Sequence, residues 1–289
     1  MPGGFFLYHS AAWGYQETVM SRAIAALGLF AVLSVGGCEA GPSQRTTEVH
    51  AVTPTGMLSK TFMHEGVAYP YLVYVPRDYA ADRDWPTIMF LHGRGECGTD
   101  GFKQAMQGLG AAAMWDPQAW PFVIILPQKP DPNKQWEDYD AVVMGMLQAT
   151  RREYRTDVSR TYLTGLSQGG HGAWTIGSMH PDTWAAVVPI CGYVARDWND
   201  KQAEQRAARE MAEKLKNTPI WAFHGEADNV VSPSHQRAMM EAFEAVGGTG
   251  ERRATYYPGV GHNSWDKAYR EEKDAGGVAA WLLKHSLTK

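Results

Sequence analysis

The sequence predicts an α/β fold, a mostly parallel, twisted sheet covered by helices on both faces. Three observations predict it. From residue 87 onward, short runs of almost purely apolar residues alternate with segments of helical spacing. That is the pattern of strands buried on both faces and joined by crossover helices. Ahead of it, residues 57–65 and 67–76 carry alternating and β-branched residues and read as an antiparallel pair. Gly165-Leu166-Ser167-Gln168-Gly169 then stands between a strand-like run, 160–164, and a small-residue-rich helical run, 170–177. A serine between glycines at a strand-to-helix turn is the arrangement of a nucleophile elbow.

The elements follow in order. Residues 78–85 are a polar loop, and 87–91 are a buried strand. Gly93, Gly95, Gly98 and Gly101 crowd the next loop, more than a simple turn needs, which suggests close approach of backbone to a ligand. Residues 105–114 are a helix candidate, and 122–126 are a strand stopped by Pro127. Val142, Val143, Met146 and Leu147 set the apolar stripe of a helix over 139–154. After the elbow, 183–190 is a strand. Residues 197–216 are charged and alanine-rich, and read as an exposed helical excursion able to roof a cleft. Residues 219–224 form a strand. Residues 232–245 form a helix with Ser232 as cap and Pro233 in its first turn. A last strand, 253–257, and a closing helix, 275–285, complete one catalytic domain, 56–289, without repeats.

A nucleophilic serine needs a base and an orienting acid, which in this architecture follow in the order serine, acid, histidine. Asp228 lies in the loop after Trp221-Ala222-Phe223-His224-Gly225, 61 residues beyond Ser167. His262 lies in a glycine-rich loop 34 residues further on. Each gap holds about one strand–helix unit. Glu226 is the alternative acid, since it shares the loop. His92-Gly93-Arg94-Gly95 ends the strand 87–91, where a second oxyanion donor is expected. The backbone N–H groups of Arg94 and Gln168 are therefore the candidate oxyanion hole. Among the other histidines, His92 is expected to brace that loop. His224 is too near Asp228 along the chain to be its natural partner. His171, one turn into the nucleophile helix, either borders the cleft or is structural.

Composition sets limits. Twenty-seven basic and 31 acidic residues give a formal charge of −4, and the basic residues are scattered. This argues against nucleic acid as a partner. No zinc-type Cys/His spacing and no G-x-G-x-x-G after a strand occurs, so neither a metal nor a nucleotide cofactor is expected. Cys97 and Cys191 fall in loops at the same sheet edge; they are either bridged, as an exported chain permits, or free and buried.

The N-terminal region reads as targeting sequence. Met20-Ser21-Arg22, the uncharged, mostly apolar run 23–37 and then Cys38 form a signal peptide over 20–37. The run is short against the roughly 20 apolar residues of a transmembrane helix, although a signal anchor is the alternative. Residues 1–19 lack a basic region and read as an upstream extension ahead of a start at Met20. Residues 38–55 read as a flexible tether.

Taken together, Leu91-His92-Gly93-Arg94-Gly95-Glu96, Gly165 to Gly170, His224-Gly225-Glu226-Ala227-Asp228 and Gly261-His262-Asn263-Ser264-Trp265 resemble the α/β-hydrolases. The nearest likeness is to the single-domain carboxylesterases: feruloyl and acetylxylan esterases, polyhydroxybutyrate depolymerases, dienelactone hydrolases and a bacterial group labelled predicted peptidases or esterases. The resemblance runs from about Gly56 to the C-terminus and departs at Cys97, where arginine is common. It implies a Ser167–Asp228–His262 triad and hydrolysis of aromatic, feruloyl-type or short-chain acyl esters, small or polysaccharide-linked, without a cofactor. It also implies that Trp136 and Trp265 wall the substrate pocket; otherwise Trp136 caps the following helix, and Trp265 packs under the histidine loop. Val35-Gly36-Gly37-Cys38 resembles a bacterial lipobox, implying export and a lipid anchor on Cys38 at the periplasmic or cell surface. The alternatives are a serine peptidase of the same fold and an inactive binding lipoprotein.

Overall fold

The structure is a computed structural model that describes residues 53–197 and 200–288. The targeting segment, Cys38 and most of the tether lie outside the described residues. No helix among the described residues is long and apolar enough to cross a membrane.

The opening pair is a tight hairpin. Strands β1 (Gly56–His64) and β2 (Val67–Val75) pair antiparallel from Gly56↔Val75 to His64↔Val67. The two linking residues, Glu65 and Gly66, both have positive φ, 49° and 79°. That is the turn whose twist matches the strands it joins. Then follow β3 (Trp85–Leu91), β4 (Val123–Pro127), β5 (Thr156–Leu166), β6 (Ala186–Ile190), β7 (Ile220–Gly225) and β8 (Arg252–Tyr257). They form an eight-stranded sheet in the order β1-β2-β4-β3-β5-β6-β7-β8. Only β1–β2 and β2–β4 are antiparallel. The rest is parallel, so the α/β-hydrolase fold expected from the sequence is the fold observed.

Because side chains alternate across a strand, each buried strand feeds two cores. Val73, Met89, Ile125, Leu163 and Val187 point into one layer. It is closed by α2 (Asp140–Glu153), α3 (Gln168–Met179), α4 (Lys201–Leu215) and α5 (Ser234–Val246). Their neighbours Leu72, Ile88, Ile124, Tyr162 and Val188 point into the other. That layer is closed by α1 (Gly108–Trp115) and α6 (Val278–Leu282).

Two elements differ from expectation. The charged run expected to be exposed over the cleft is α4, which covers the sheet. Its Glu204, Ala208, Met211, Ala212 and Leu215 are buried, a stripe at helical spacing in which two of the five are alanines and one is a glutamate. Alanines and a glutamate carry little hydrophobic signal against the charges around them. The closing helix is shorter than expected. Gly276 and Gly277 take φ of 86° and 89° and delay its start to Val278. A π-helical turn, Lys267–Glu271, precedes it without any clear sequence signal.

Candidate active site

The site lies at the C-terminal edge of β5, β7 and β8, where side chains leave the sheet. Ser167 is the single residue between β5 and α3, and its φ of 54° with ψ of −116° is strained for a residue with a Cβ. The strain is held by backbone bonds on both sides: Ser167 N–H donates to Ile190 O at 2.9 Å, and His171 N–H donates to Ser167 O at 3.0 Å. A Cβ at Gly165 would sit 2.2 Å from Gly169 O, and one at Gly169 would sit 1.9 Å from Leu91 O. The two glycines are therefore steric requirements of the turn.

Three residues far apart in sequence meet here. Ser167 Oγ lies 2.9 Å from His262 Nε2, and His262 Nδ1 lies 2.7 Å from Asp228 Oδ2. The other carboxylate oxygen, Asp228 Oδ1, accepts the N–H groups of Val230 and Val231, each at 2.9 Å. Burial by itself would raise the Asp228 carboxyl. Hydrogen bonds from His224, His262, Val231 and Val230 outweigh it and hold the group well below the usual carboxylate range. The acid and histidine loops abut so closely that a Cβ at Gly225 would lie 2.2 Å from Gly261 O. Trp265 stands edge-on to His262, ring centroids 5.5 Å apart.

The loop after β3 supplies the facing wall. His92 is buried, and its two nitrogens have opposite roles. Lys129 N–H donates to Nε2 at 3.0 Å, so the hydrogen sits on Nδ1, which donates to Gly93 O at 2.6 Å. Burial pushes this imidazole down to about 3 and keeps it neutral. In a trans peptide, C=O and N–H point in opposite directions. Holding the Gly93 carbonyl on His92 thus turns Arg94 N–H away from His92. Gln168 is the first residue of α3, so its N–H has no partner in the helix ladder. Arg94 and Gln168 both line the cavity that contains Ser167.

That cavity has a volume of about 610 Å³. Its lining includes the apolar Leu166, Val230, Val231 and Trp265 and the polar Arg94, Glu96, Asn133, Gln135, Tyr193 and Arg196. The last five of these were not singled out from the sequence. Tyr193 follows a strand end, which was the available signal; Asn133 and Gln135 sit in a loop that only folding brings across.

Two residues for which the pocket was one of two readings lie elsewhere. Trp136 is buried behind the loop, where its Nε1–H donates to His92 O at 3.0 Å and its ring meets His92 edge-on. It neither lines the cavity nor forms a surface cap. His171 is one layer back. It stacks on Tyr193 with centroids 4.3 Å apart, its Nδ1 lies 2.9 Å from Tyr193 O, and its Nε2 lies 3.3 Å from Glu137 Oε1. The loops around 132–137 and 191–193 cover the first turn of α3, which removes both side chains from the cleft. Trp265 does line the cavity.

Cys97 and Cys191 are both free, so the possible bridge is absent. Cys97 Sγ lies 3.3 Å from the buried Lys129 Nζ, which is held by Asp131 O and Lys134 O. Burial pushes the Cys191 thiol up to about 12. Cys191, Asp228 and His262 offer ligand atoms within 4.8 Å of one another. A protonated thiol and a His–Asp pair already bonded to each other suit a metal ion poorly.

A chain of acid, imidazole and hydroxyl beside two candidate N–H donors can activate a serine for attack on a carbonyl. Comparison with known proteins points the same way. The Esterase family model ("Putative esterase") matches residues 66–270. Among solved structures, a thermostable esterase is 32% identical, with a TM-score of 0.66 over 80% of this chain and 63% of that one. This chain thus spans under two thirds of that esterase. A ferulic acid esterase of the anaerobic fungus Anaeromyces mucronatus is 17% identical, with a TM-score of 0.55 over 78% and 90% of the two chains. The S-formylglutathione hydrolase of Staphylococcus aureus is 16% identical, with a TM-score of 0.60 over 80% and 99%. These last two share the fold. No curated protein matches the chain.

Proposed function

The chain belongs to the esterase family, and on that premise we propose that it is a serine carboxylic-ester hydrolase in which Ser167 is the nucleophile, His262 the general base and acid, and Asp228 the orienting acid. The observation that carries the reading is the continuous hydrogen-bonded chain from Asp228 through His262 to Ser167 at the wall of the cavity.

His262 Nε2 takes the Ser167 proton as Oγ adds to the ester carbonyl. The carbonyl oxygen becomes an oxyanion, received by the N–H groups of Arg94 and Gln168. Collapse expels the alcohol, which leaves with the proton from His262. Water, deprotonated by His262, then attacks the acyl-enzyme, the same donors receive the second oxyanion, and its collapse breaks the acyl–Oγ bond, releasing the carboxylic acid as His262 returns the proton to Ser167. Asp228 keeps the His262 hydrogen on Nδ1 throughout and stabilises the imidazolium.

The apolar lining residues Leu166, Val230, Val231 and Trp265 support an aromatic, feruloyl-type or short-chain acyl group, and the polar ones among the lining an alcohol rich in hydroxyls. The ferulic acid esterase among the fold's relatives supports the same class. The basic-apolar-Cys38 pattern of the N-terminal sequence supports export and lipid anchoring. The test is a panel of p-nitrophenyl acetate, longer p-nitrophenyl esters, methyl ferulate and an amide analogue, each beside Ser167→Ala. Ester turnover lost in the variant is expected, and the ferulate-to-acetate preference assigns the acyl class. Amide turnover above ester turnover would favour a peptidase. Failure of a phosphonate to label Ser167 covalently would favour a binding protein.

A further inference from the structure

We infer that His224 is a positioning residue for the reaction, acting through Asp228. The inference rests on the serine-hydrolase reading and deepens it. His224 ends β7 and is fully buried. Its Nε2 lies 2.9 Å from Val231 O and 3.3 Å from Asp228 Oδ2. A carbonyl oxygen only accepts, so Nε2 carries the hydrogen. The same nitrogen makes its longer second contact with Asp228 Oδ2, the oxygen that receives His262 Nδ1–H at 2.7 Å.

The contacts close a ring. Val231 N–H donates to Asp228 Oδ1, and Val231 O receives His224, whose Nε2 stands 3.3 Å from Asp228 Oδ2. The carboxylate is therefore gripped at both oxygens by one short loop and one strand end. Rotation about its Cβ–Cγ bond, which would swing Oδ2 off His262, breaks contacts on both oxygens at once.

Packing alone does not account for an imidazole here. His224 Nδ1 is buried with no hydrogen-bond partner among the described residues. Burying an unpaired polar atom is unfavourable. An apolar side chain of similar volume would avoid that cost, so the benefit of histidine lies at Nε2, in the two oxygens it holds. A leucine would fill the site and lose both; a glutamine places its amide nitrogen where Nε2 stands and keeps them.

The experiment compares wild type, His224→Leu and His224→Gln in the full chain, with circular dichroism to establish folding. Two readouts are taken: kcat and KM on p-nitrophenyl acetate, and the low-field proton resonance of the His262–Asp228 hydrogen bond in protein free of substrate. Leucine is expected to lower kcat about tenfold with KM changed less than about twofold, as for an interaction made chiefly in the transition state. It is also expected to move or broaden the resonance, and glutamine to restore both toward wild type. A folded leucine variant with wild-type kcat and resonance overturns the inference. So does a glutamine variant as impaired as the leucine one, since that pattern belongs to packing. Should leucine prevent folding, His224→Met is the second variant without a donor; if neither folds, loss of the resonance in His224→Gln is the overturning result. The resonance needs no turnover. Absence of serine-dependent hydrolysis in wild type would therefore count against the serine-hydrolase reading and leave the role of His224 decided by the proton signal.

Discussion

The imidazole of His92 donates a 2.6 Å hydrogen bond to the carbonyl of Gly93, its own neighbour in the chain. Adjacent residues seldom bond in this way unless the loop is held from outside. Here Lys129 N–H and Trp136 Nε1–H supply that hold, the first on the ring and the second on the His92 carbonyl. The consequence is a fixed Gly93–Arg94 peptide facing the candidate oxyanion hole.

Replacing His92 by alanine is expected to free that peptide. One oxyanion donor contributes roughly 3–4 kcal/mol to the transition state. We therefore expect kcat to fall by about 10²-fold or more with a much smaller change in KM. Steady-state kinetics on p-nitrophenyl acetate check this; a change confined to KM would place the Arg94 N–H outside the chemistry.

The same histidine gives a pH signature. Burial pushes it down to about 3 from an ordinary value of 6.5. Between those values the unfolded chain binds a proton that the folded chain refuses. Stability therefore falls as pH drops from about 6.5 towards 3, and is independent of this group above that window. Thermal unfolding at pH 7, 5 and 4 is expected to show a smaller decline for His92→Asn than for wild type.

Ser167 is strained, at φ of 54°. Glycine adopts that conformation without a Cβ penalty. Ser167→Gly is expected to abolish ester turnover while raising the unfolding midpoint by a few degrees, given about 1 kcal/mol of relieved strain. Ser167→Ala is expected to abolish turnover without that gain. Equal midpoints in a calorimeter would refute the strain.

Gly169→Ala is expected to be far more damaging than its chemistry suggests. Its Cβ would lie 1.9 Å from Leu91 O, a backbone atom of the central strand. Either β3 or α3 has to move, at a cost above about 4 kcal/mol. Soluble yield and denaturant midpoint measure the effect, and a native midpoint would contradict the contact.

Cys97 and Cys191, both free among the described residues, predict that reductant leaves the unfolding midpoint of the catalytic domain unchanged. Under native conditions iodoacetamide is expected to modify Cys97, which is half-buried, and to spare Cys191, which is buried with its thiol pushed up to about 12. Joint protection of both would point to a bridge.

Features written in local chemistry were readable before folding. The alternation of apolar strands with helical spacing foretold the sheet and its helices. Glycines at 165 and 169 marked a turn too tight for side chains, and the order of Ser167, Asp228 and His262 along the chain marked three residues the fold places within hydrogen-bond reach of one another. Those signals survive without a structure because they concern a residue and its close neighbours, or the order of elements in a sheet. What surrounds them depended on the tertiary structure. Trp136 and His171, for each of which the cleft was one of two readings, lie behind it, whereas Asn133, Gln135, Tyr193 and Arg196 line it. His224, set aside because it stands four residues from Asp228, shares that carboxylate with His262. The direction in which a loop side chain points is settled by loops that arrive from elsewhere in the chain, and contact across such distances leaves no periodicity along the sequence.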